Sequence, residues 1–299
     1  MKKKVVFIMG TAHCGSSLLN LVLDSHTDCL GLGELSNLPD FYRRGRPICS
    51  VCKEDCSFWN HAFSEQEMQL LCQGFADQRL HRYIPLKLEK AVRGLLKRDR
   101  PFNPYSLLAN KVSETVLIDS TKTVYWLERK LNAREFKENR LEAYVIHLIR
   151  DGRAVMGSYS RRKQYQGLTA QEFGQEFGNL WQKRLTDENN FFNSFTGPKI
   201  ELRYETFATQ PEKTAKEICQ WLDIEFQPDM LYYKTHEHHP ISGNRGTHAS
   251  VKQHKKVDNP KPASPGIKLN VRWPQTLSSE HVTAFYKTTN GMNKAYEWQ

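Results

Sequence analysis

The chain has 299 residues, 39% of them hydrophobic and 25% charged, with a formal net charge of +10 at pH 7. That length and composition belong to a soluble globular protein with a full core, as one large domain or one domain with lobes. They exclude a membrane-spanning chain, since no run approaches ~18 apolar residues, and the positive excess favours an anionic partner: nucleotide, sulfated or phosphorylated substrate, nucleic acid or membrane surface.

In chain order, the basic start MKKKVVFIMG holds an apolar run of five, too short for a signal peptide and suited to a first strand over KVVFIM (4–9). SSLLNLVLD opens a helix expected over 16–26, and 60–112 reads as a helical, basic insert. Further strands are expected at TVLIDS (115–120), AYVIHLI (143–149) and KIELRY (199–204), with helices at 122–136, 153–163, 170–194 and 210–222. Thr209 and Glu212 have capping-box spacing at the start of the last of these. DNPKPASPG (258–266) reads as a proline-rich linker and 278–289 as a final amphipathic helix. The strand runs are short, continuously apolar and rich in Val and Ile, as in a sheet buried on both faces. Strand alternating with helix predicts an α/β fold: a central parallel sheet with helices on both faces. The expected organisation is one domain over 1–299, with the insert at 60–112 and a C-terminal loop and helix over about 240–299. Seven cysteines, an odd number with no secretory signal, imply reduced thiols and a cytoplasmic setting.

Ligands of open parallel sheets bind at the carboxyl ends of strands. After the first strand comes GTAHCGSSLL (10–19), whose Gly10-x4-Gly15 spacing is the glycine frame of a phosphate-binding loop. The lysine that should follow the second glycine is Ser16, with Ser17 in the hydroxyl position. A glycine turn entering a helix still offers backbone N–H groups and the positive end of the macrodipole, whereas the missing lysine argues against ordinary triphosphate chemistry. A plain strand–turn–helix joint is the competing reading of the loop alone. LIRDGRAVMGSYSRR (148–162) supplies a second candidate anion site: Arg150 ends a strand, and Ser158 lies about two helical turns on, within reach of an extended arginine. Arg153, Arg161 and Arg162 raise the potential there. Two such sites on neighbouring strands imply a ligand with two separate phosphate groups.

GTAHCGSSLL and RDGRAVMGS resemble the two signatures of the sulfotransferases that use 3'-phosphoadenosine-5'-phosphosulfate (PAPS). LIDSTK (117–122), LRYETFATQPEKTAKEICQWL (202–222) and HHPISGNRG (238–246) extend the resemblance towards the bacterial branch, in the expected order. The resemblance implies a P-loop-like sulfotransferase fold in which Gly10, Thr11, Ala12, His13, Cys14, Gly15, Ser16 and Ser17 bind the 5'-phosphosulfate. Arg150 and Ser158 would bind the 3'-phosphate, with Tyr204, Asn244, Arg245 and Gly246 near the nucleotide. The product would be the desulfated nucleotide PAP, and no metal is required.

In-line sulfuryl transfer needs stabilisation of the leaving phosphate and removal of the acceptor's proton. Glu34 is the candidate base. The first helix carries the chain ~16 Å from the loop and the eight residues before Glu34 span at most ~28 Å, so the chain can return to the loop mouth. LDSHTDCLGLGELS also resembles the protein-tyrosine sulfotransferase branch, which has its basic glutamate at this place. A first-turn helical glutamate is the bland alternative. His13 departs from the family, which usually has Lys or Arg there. As imidazolium, His13 would supply charge or protonate the leaving phosphate, and Lys122 of DSTK is the other candidate cation. Cys49, Cys52 and Cys56 have zinc-knuckle spacing, with His61 the guessed fourth ligand. Free thiols or a local turn are the preferred reading of that stretch, with no metal assigned.

The acceptor, expected to carry a hydroxyl, is not legible, nor is the oligomeric state. Two alternatives stay open: a non-catalytic protein holding nucleotide or a sulfated ligand on the same fold, and a P-loop kinase-like enzyme, which Ser16 disfavours. Nucleic-acid binding has only net charge in its favour.

Overall fold

The computed structural model describes residues 2–76, 103–138, 140–256 and 264–299. Five strands, β1 (Lys4–Met9), β2 (Cys29–Gly33), β3 (Val116–Lys122), β4 (Glu142–Ile149) and β5 (Lys199–Arg203), form one sheet in the order β2-β3-β1-β4-β5. Every pairing is parallel. Such strands are covered on both faces, which explains apolar runs without alternation: Val5 through Met9 are all fully buried. The helices that position the site are α1 (Ser16–Asp24), α2 (Pro104–Lys111), α3 (Val124–Leu131), α4 (Gly152–Tyr159), α5 (Ala170–Ser194), α6 (Arg245–Lys256) and α7 (Ser279–Thr288).

The four expected strands are present, and a fifth, β2, joins them over CLGLG. Glycine is a poor strand former, so this edge strand has little local signal. β3 runs on to Lys122, whose backbone is left-handed (φ 77), and the helix expected at 122–136 becomes α3 and a short helix at Arg134–Lys137. Thr123 caps α3 by accepting from the Trp126 amide. The helix expected over 153–163 ends at Tyr159. The capping box expected at Thr209 is not formed. Thr209 ends a preceding helix, Tyr204–Thr209, and its hydroxyl donates to the Glu205 carbonyl at 2.8 Å. Pro211 starts the next helix with no N–H at its first position, so the chain breaks there without a side-chain cap. The insert contributes helices at Glu65–Phe75 and α2, while 77–102 and 257–263 of the expected insert and linker lie outside the described residues.

Two polar knots fix the sheet's carboxyl end. Asp119 of β3, fully buried, accepts from the Tyr105 hydroxyl of α2 at 2.6 Å, from Trp126 Nε1 of α3 at 2.7 Å and from the Thr121 amide at 2.9 Å. At the end of β4, Asp151 caps α4 and also accepts from Asn293 Nδ2 and the Trp298 amide, both at 3.1 Å. Asn293 Oδ1 in turn accepts from the Gly152 amide at 2.7 Å. The C-terminal segment is therefore strapped to the bend that follows β4, with α7 packed on α5 through Phe285, Phe177 and Trp181. Among the described residues no helix is long and apolar enough to cross a membrane.

Replacing Asp119 with alanine leaves the Tyr105 hydroxyl and the Trp126 N–H buried without an acceptor. The expected loss is about 2–5 kcal/mol, read from the urea midpoint at unchanged m.

Candidate active site

The loop after β1 turns through Gly10–Gly15 into α1. His13 and Gly15 are both left-handed, with φ of 68° and 104°. Among the described residues, the amides of Ala12, His13, Gly15 and Ser17 donate to no backbone carbonyl. They remain open, with the positive end of α1, for an anion. A Cβ on Gly15 would lie 2.3 Å from the Tyr204 ring, so Tyr204 is seated directly against the loop. Cys14 is buried and its thiol pKa is pushed up by burial, which makes it inert packing rather than a nucleophile. Ser16 is buried beside it, and Thr11 is buried as well.

Because β4 pairs with β1, Arg150 emerges beside this loop. Its Nη1 donates to the His13 carbonyl at 2.9 Å and its Nη2 to the Asn270 carbonyl at 2.7 Å, with Cζ 4.3 Å from the Tyr204 ring centroid. Among the described residues, Arg150 Nε is buried without a hydrogen-bond partner. Arg150 and Ser158, which the sequence reading expects to share one ligand, make no direct hydrogen bond to each other. The Ser158 hydroxyl donates to the Ala154 carbonyl of its own helix at 3.2 Å, while Arg150 is held by two carbonyls near the loop. Arg153 is turned to Asp151, Nη2 to Oδ2 at 2.6 Å, and is part of the C-terminal knot.

Arg162 is the cation that sequence reading left undistinguished among its neighbours. Its Nη2 donates to His13 Nε2 at 3.0 Å, and its Cζ stands 3.9 Å over the Tyr159 ring, against which His13 packs edge-on. Burial, followed by the charges of Arg162, Arg150, Lys122 and Arg161, holds the His13 pKa down to about 4. His13 is therefore neutral at pH 7 and accepts at Nε2, and the imidazolium expected from sequence is not present. The positive charge at this place belongs to the arginines and Lys122.

Glu34 and Lys122 meet as an ion pair. Lys122 Nζ also donates to the Ser120 carbonyl at 3.2 Å, and Asn37 Nδ2 donates to Glu34 Oε2 at 3.0 Å. The Gly10 amide donates to the Lys122 carbonyl at 3.2 Å, which sets this pair beside the loop. Glu34 precedes a short 3-10 turn and its amide donates to the Ile241 carbonyl at 2.6 Å, so it is fixed from outside its own helix. The GNRG segment also arrives here: the Asn244 amide donates to Ser17 Oγ at 2.9 Å, Asn244 Oδ1 accepts from the Thr247 amide, and exposed Arg245 and Gly246 open α6. Near this segment, His61 does not join Cys49, Cys52 and Cys56. It is exposed and its Nδ1 lies 3.1 Å from the Ser57 carbonyl, while His239 stands among the thiols instead.

A family model described as the sulfotransferase family matches residues 5–228. Among solved structures, the chain is similar to a sulfotransferase domain from the curacin biosynthetic pathway, with 19% identity over 99% of both chains and a TM-score of 0.51. It is also similar to a sulfotransferase domain from the Synechococcus PCC 7002 olefin synthase (17% identity, 100% of this chain and 98% of that one, TM-score 0.48). A third is mouse sulfotransferase SULT7A1 complexed with PAP (12% identity, 99% of this chain and 90% of that one, TM-score 0.46). No curated protein matches the chain.

His13 and the buried His248 both have pKa values lowered to about 4, with burial the largest cause in each. The unfolded chain binds protons on these rings from the ordinary value of 6.5 downward, whereas the native chain refuses them until about 4. Their stabilising contribution is complete above that ordinary value and is lost as pH falls towards the native one. Wild type should therefore lose stability relative to His248→Asn on acidification through this window, and the NMR signals of the His13 ring should stay those of neutral imidazole down to roughly pH 5.

Proposed function

The chain belongs to the sulfotransferase family, and from that premise we propose that it moves a sulfuryl group from PAPS to a hydroxyl acceptor by in-line transfer. The observation that carries the reading is convergence. Open loop amides, the unpartnered donor of Arg150, the Arg162–His13 pair and the Glu34–Lys122 pair all stand at the carboxyl ends of adjacent strands. These groups are donors and cations with one carboxylate among them, the composition that a doubly phosphorylated ligand and a proton acceptor require.

The amides of Ala12, His13, Gly15 and Ser17 and the serine hydroxyls hold the 5'-phosphosulfate, while Arg150 takes the 3'-phosphate with Arg245 arriving from α6. PAPS supplies the activated sulfuryl group when bound. Glu34 removes the acceptor's proton as the acceptor oxygen bonds to sulfur, and the bond from sulfur to the bridging oxygen breaks. Lys122 and Arg162 stabilise the charge that develops on the leaving phosphate, and neutral His13 orients Arg162. The ion pair gives a gate. Lys122 turns from Glu34 towards the arriving sulfonate, which frees the carboxylate to accept a proton only once the donor is in place. Asp119 has no part in holding a metal here, because Tyr105, Trp126 and Thr121 consume its oxygens.

Neutral His13, where the resemblance calls for a cation, favours one second reading: a protein that holds the nucleotide without transfer. PAP binding with no sulfuryl gain on any member of an acceptor panel, followed by mass, would select it. On the catalytic reading, calorimetry finds one PAP per chain, and Arg150→Ala weakens it roughly 10–100-fold by removing a charged donor. Glu34→Gln lowers kcat by roughly 10²–10⁴ while PAP affinity stays within about twofold. An unaltered kcat in Glu34→Gln removes the base assignment.

A further inference from the structure

CSVCKEDC (49–56) brings three thiols into one short loop, and the fourth polar atom comes from far along the chain. The sulfurs of Cys49, Cys52 and Cys56 and one ring nitrogen of His239 lie within 4.8 Å of one another. His239 Nδ1 stands 3.6 Å from Cys52 Sγ and 3.3 Å from Cys56 Sγ. A tetrahedral zinc ion, with Zn–S of ~2.3 Å and Zn–N of ~2.0–2.1 Å, spaces neighbouring ligand atoms roughly 3.5–3.8 Å apart. Only small side-chain adjustments separate the observed cluster from that geometry.

The surroundings also suit a metal ligand set. The Cys52 amide donates to Cys49 Sγ at 3.2 Å, and Lys53 follows in a left-handed turn (φ 64), so the loop wraps the first sulfur with its own backbone. His239 directs Nδ1 at the sulfurs while its Nε2 lies 3.8 Å from the exposed Glu237 carboxylate. Phe58 stacks on the ring at 5.5 Å and Trp59 Nε1 donates to the His239 carbonyl at 2.7 Å, which locks its position. Cys49 and Cys56 are buried.

We propose that Cys49, Cys52, Cys56 and His239 bind one zinc ion as a structural centre that clamps the 49–56 loop to the 238–241 segment. Three thiolates and an imidazole fill a tetrahedral shell, leaving no open position for chemistry. Zinc replaces the thiol protons on binding, which pass to solvent, and no electron is transferred. The clamp has a defined load. Cys49 bridges to Ile241, the Ser50 amide donates to the Pro240 carbonyl at 2.9 Å, and Ile241 in turn holds the ends of β2 and Glu34. The metal thus secures the segment against which Glu34 is set.

The test uses the full chain, produced with zinc in the medium and purified without chelator. Elemental analysis should find about one zinc per chain, and cobalt added to the metal-free chain should give the intense visible bands of a tetrahedral thiolate site, saturating at about one equivalent. Cys52→Ser and His239→Ala should each lower retained zinc roughly tenfold, while Cys72→Ser retains it. Metal removal should lower the thermal midpoint by roughly 5–10 °C. If a ligand variant fails to fold, the cobalt titration of the wild-type chain still decides. Zinc below about a tenth of an equivalent together with no cobalt bands from a folded metal-free chain overturns the site. So does full zinc retention in both folded ligand variants. Neither measurement depends on the sulfuryl-transfer reading.

Discussion

One contact joins the two halves of the site. The Arg150 guanidinium, at the end of β4, donates to the His13 carbonyl in the loop after β1 at 2.9 Å. The bond exists because β4 lies directly beside β1, and it is possible because His13 adopts the left-handed backbone. A non-glycine residue in that region is uncommon and carries a conformational cost. Here the turn points its carbonyl at Arg150 and leaves the neighbouring amides open. The strand pairing, a strained turn and a buried guanidinium therefore act as one unit.

That unit concentrates positive charge. Arg162, Arg150, Lys122 and Arg161 are the charges that act on His13, and all act in the same direction. Crowded cations repel, and beside the carbonyl and imidazole acceptors already described, Glu34 neutralises Lys122 while Tyr204 and Tyr159 present their ring faces to Arg150 and Arg162. Aromatic faces stabilise a cation without supplying a full counter-charge, so the arginines keep their capacity to pair with an anion. Ordinary carboxylate partners would have neutralised them. Salt should weaken any such anion binding less than at an open surface, because Arg150 is almost wholly buried.

What was legible in the sequence follows from what is local. The apolar runs gave β1, β3, β4 and β5 because burial on both faces writes itself as continuous hydrophobicity. The glycine frame located the loop, and Arg150 was found at its strand end. β2 escaped because CLGLG lacks the branched residues that mark a strand, and the Thr209 cap failed because Pro211 interrupts the helix it would open. Pairings fared worse than positions. Arg162 meets His13 across 149 residues, Lys122 meets Glu34 across 88, and His239 meets Cys56 across 183. Period and spacing carry no information about such contacts, since they arise only when the sheet order is known. Ser158, expected to share a ligand with Arg150, bonds the carbonyl four residues back on its own helix at 3.2 Å.

The same sheet order explains why Glu34 depends on chain that is not in the sheet. Gly33 has φ 73, and a Cβ there would meet the Ile241 carbonyl oxygen at 2.5 Å and its nitrogen at 2.6 Å. Only glycine lets the 238–244 segment lie across the end of β2, where the Ile241 amide donates to the Leu32 carbonyl at 2.9 Å and the Ile241 carbonyl accepts from the Glu34 amide. Two residues on, that segment turns through left-handed Ser242 and Gly243 and bonds Ser17 in the loop. These bonds, the last of them to the Ser17 side chain, fix the backbone of Glu34 relative to the 10–15 loop, whereas among the described residues Lys122 and Asn37 hold its carboxylate. The backbone of Glu34 is therefore tied to this segment, whereas its carboxylate is paired with Lys122 at the end of β3.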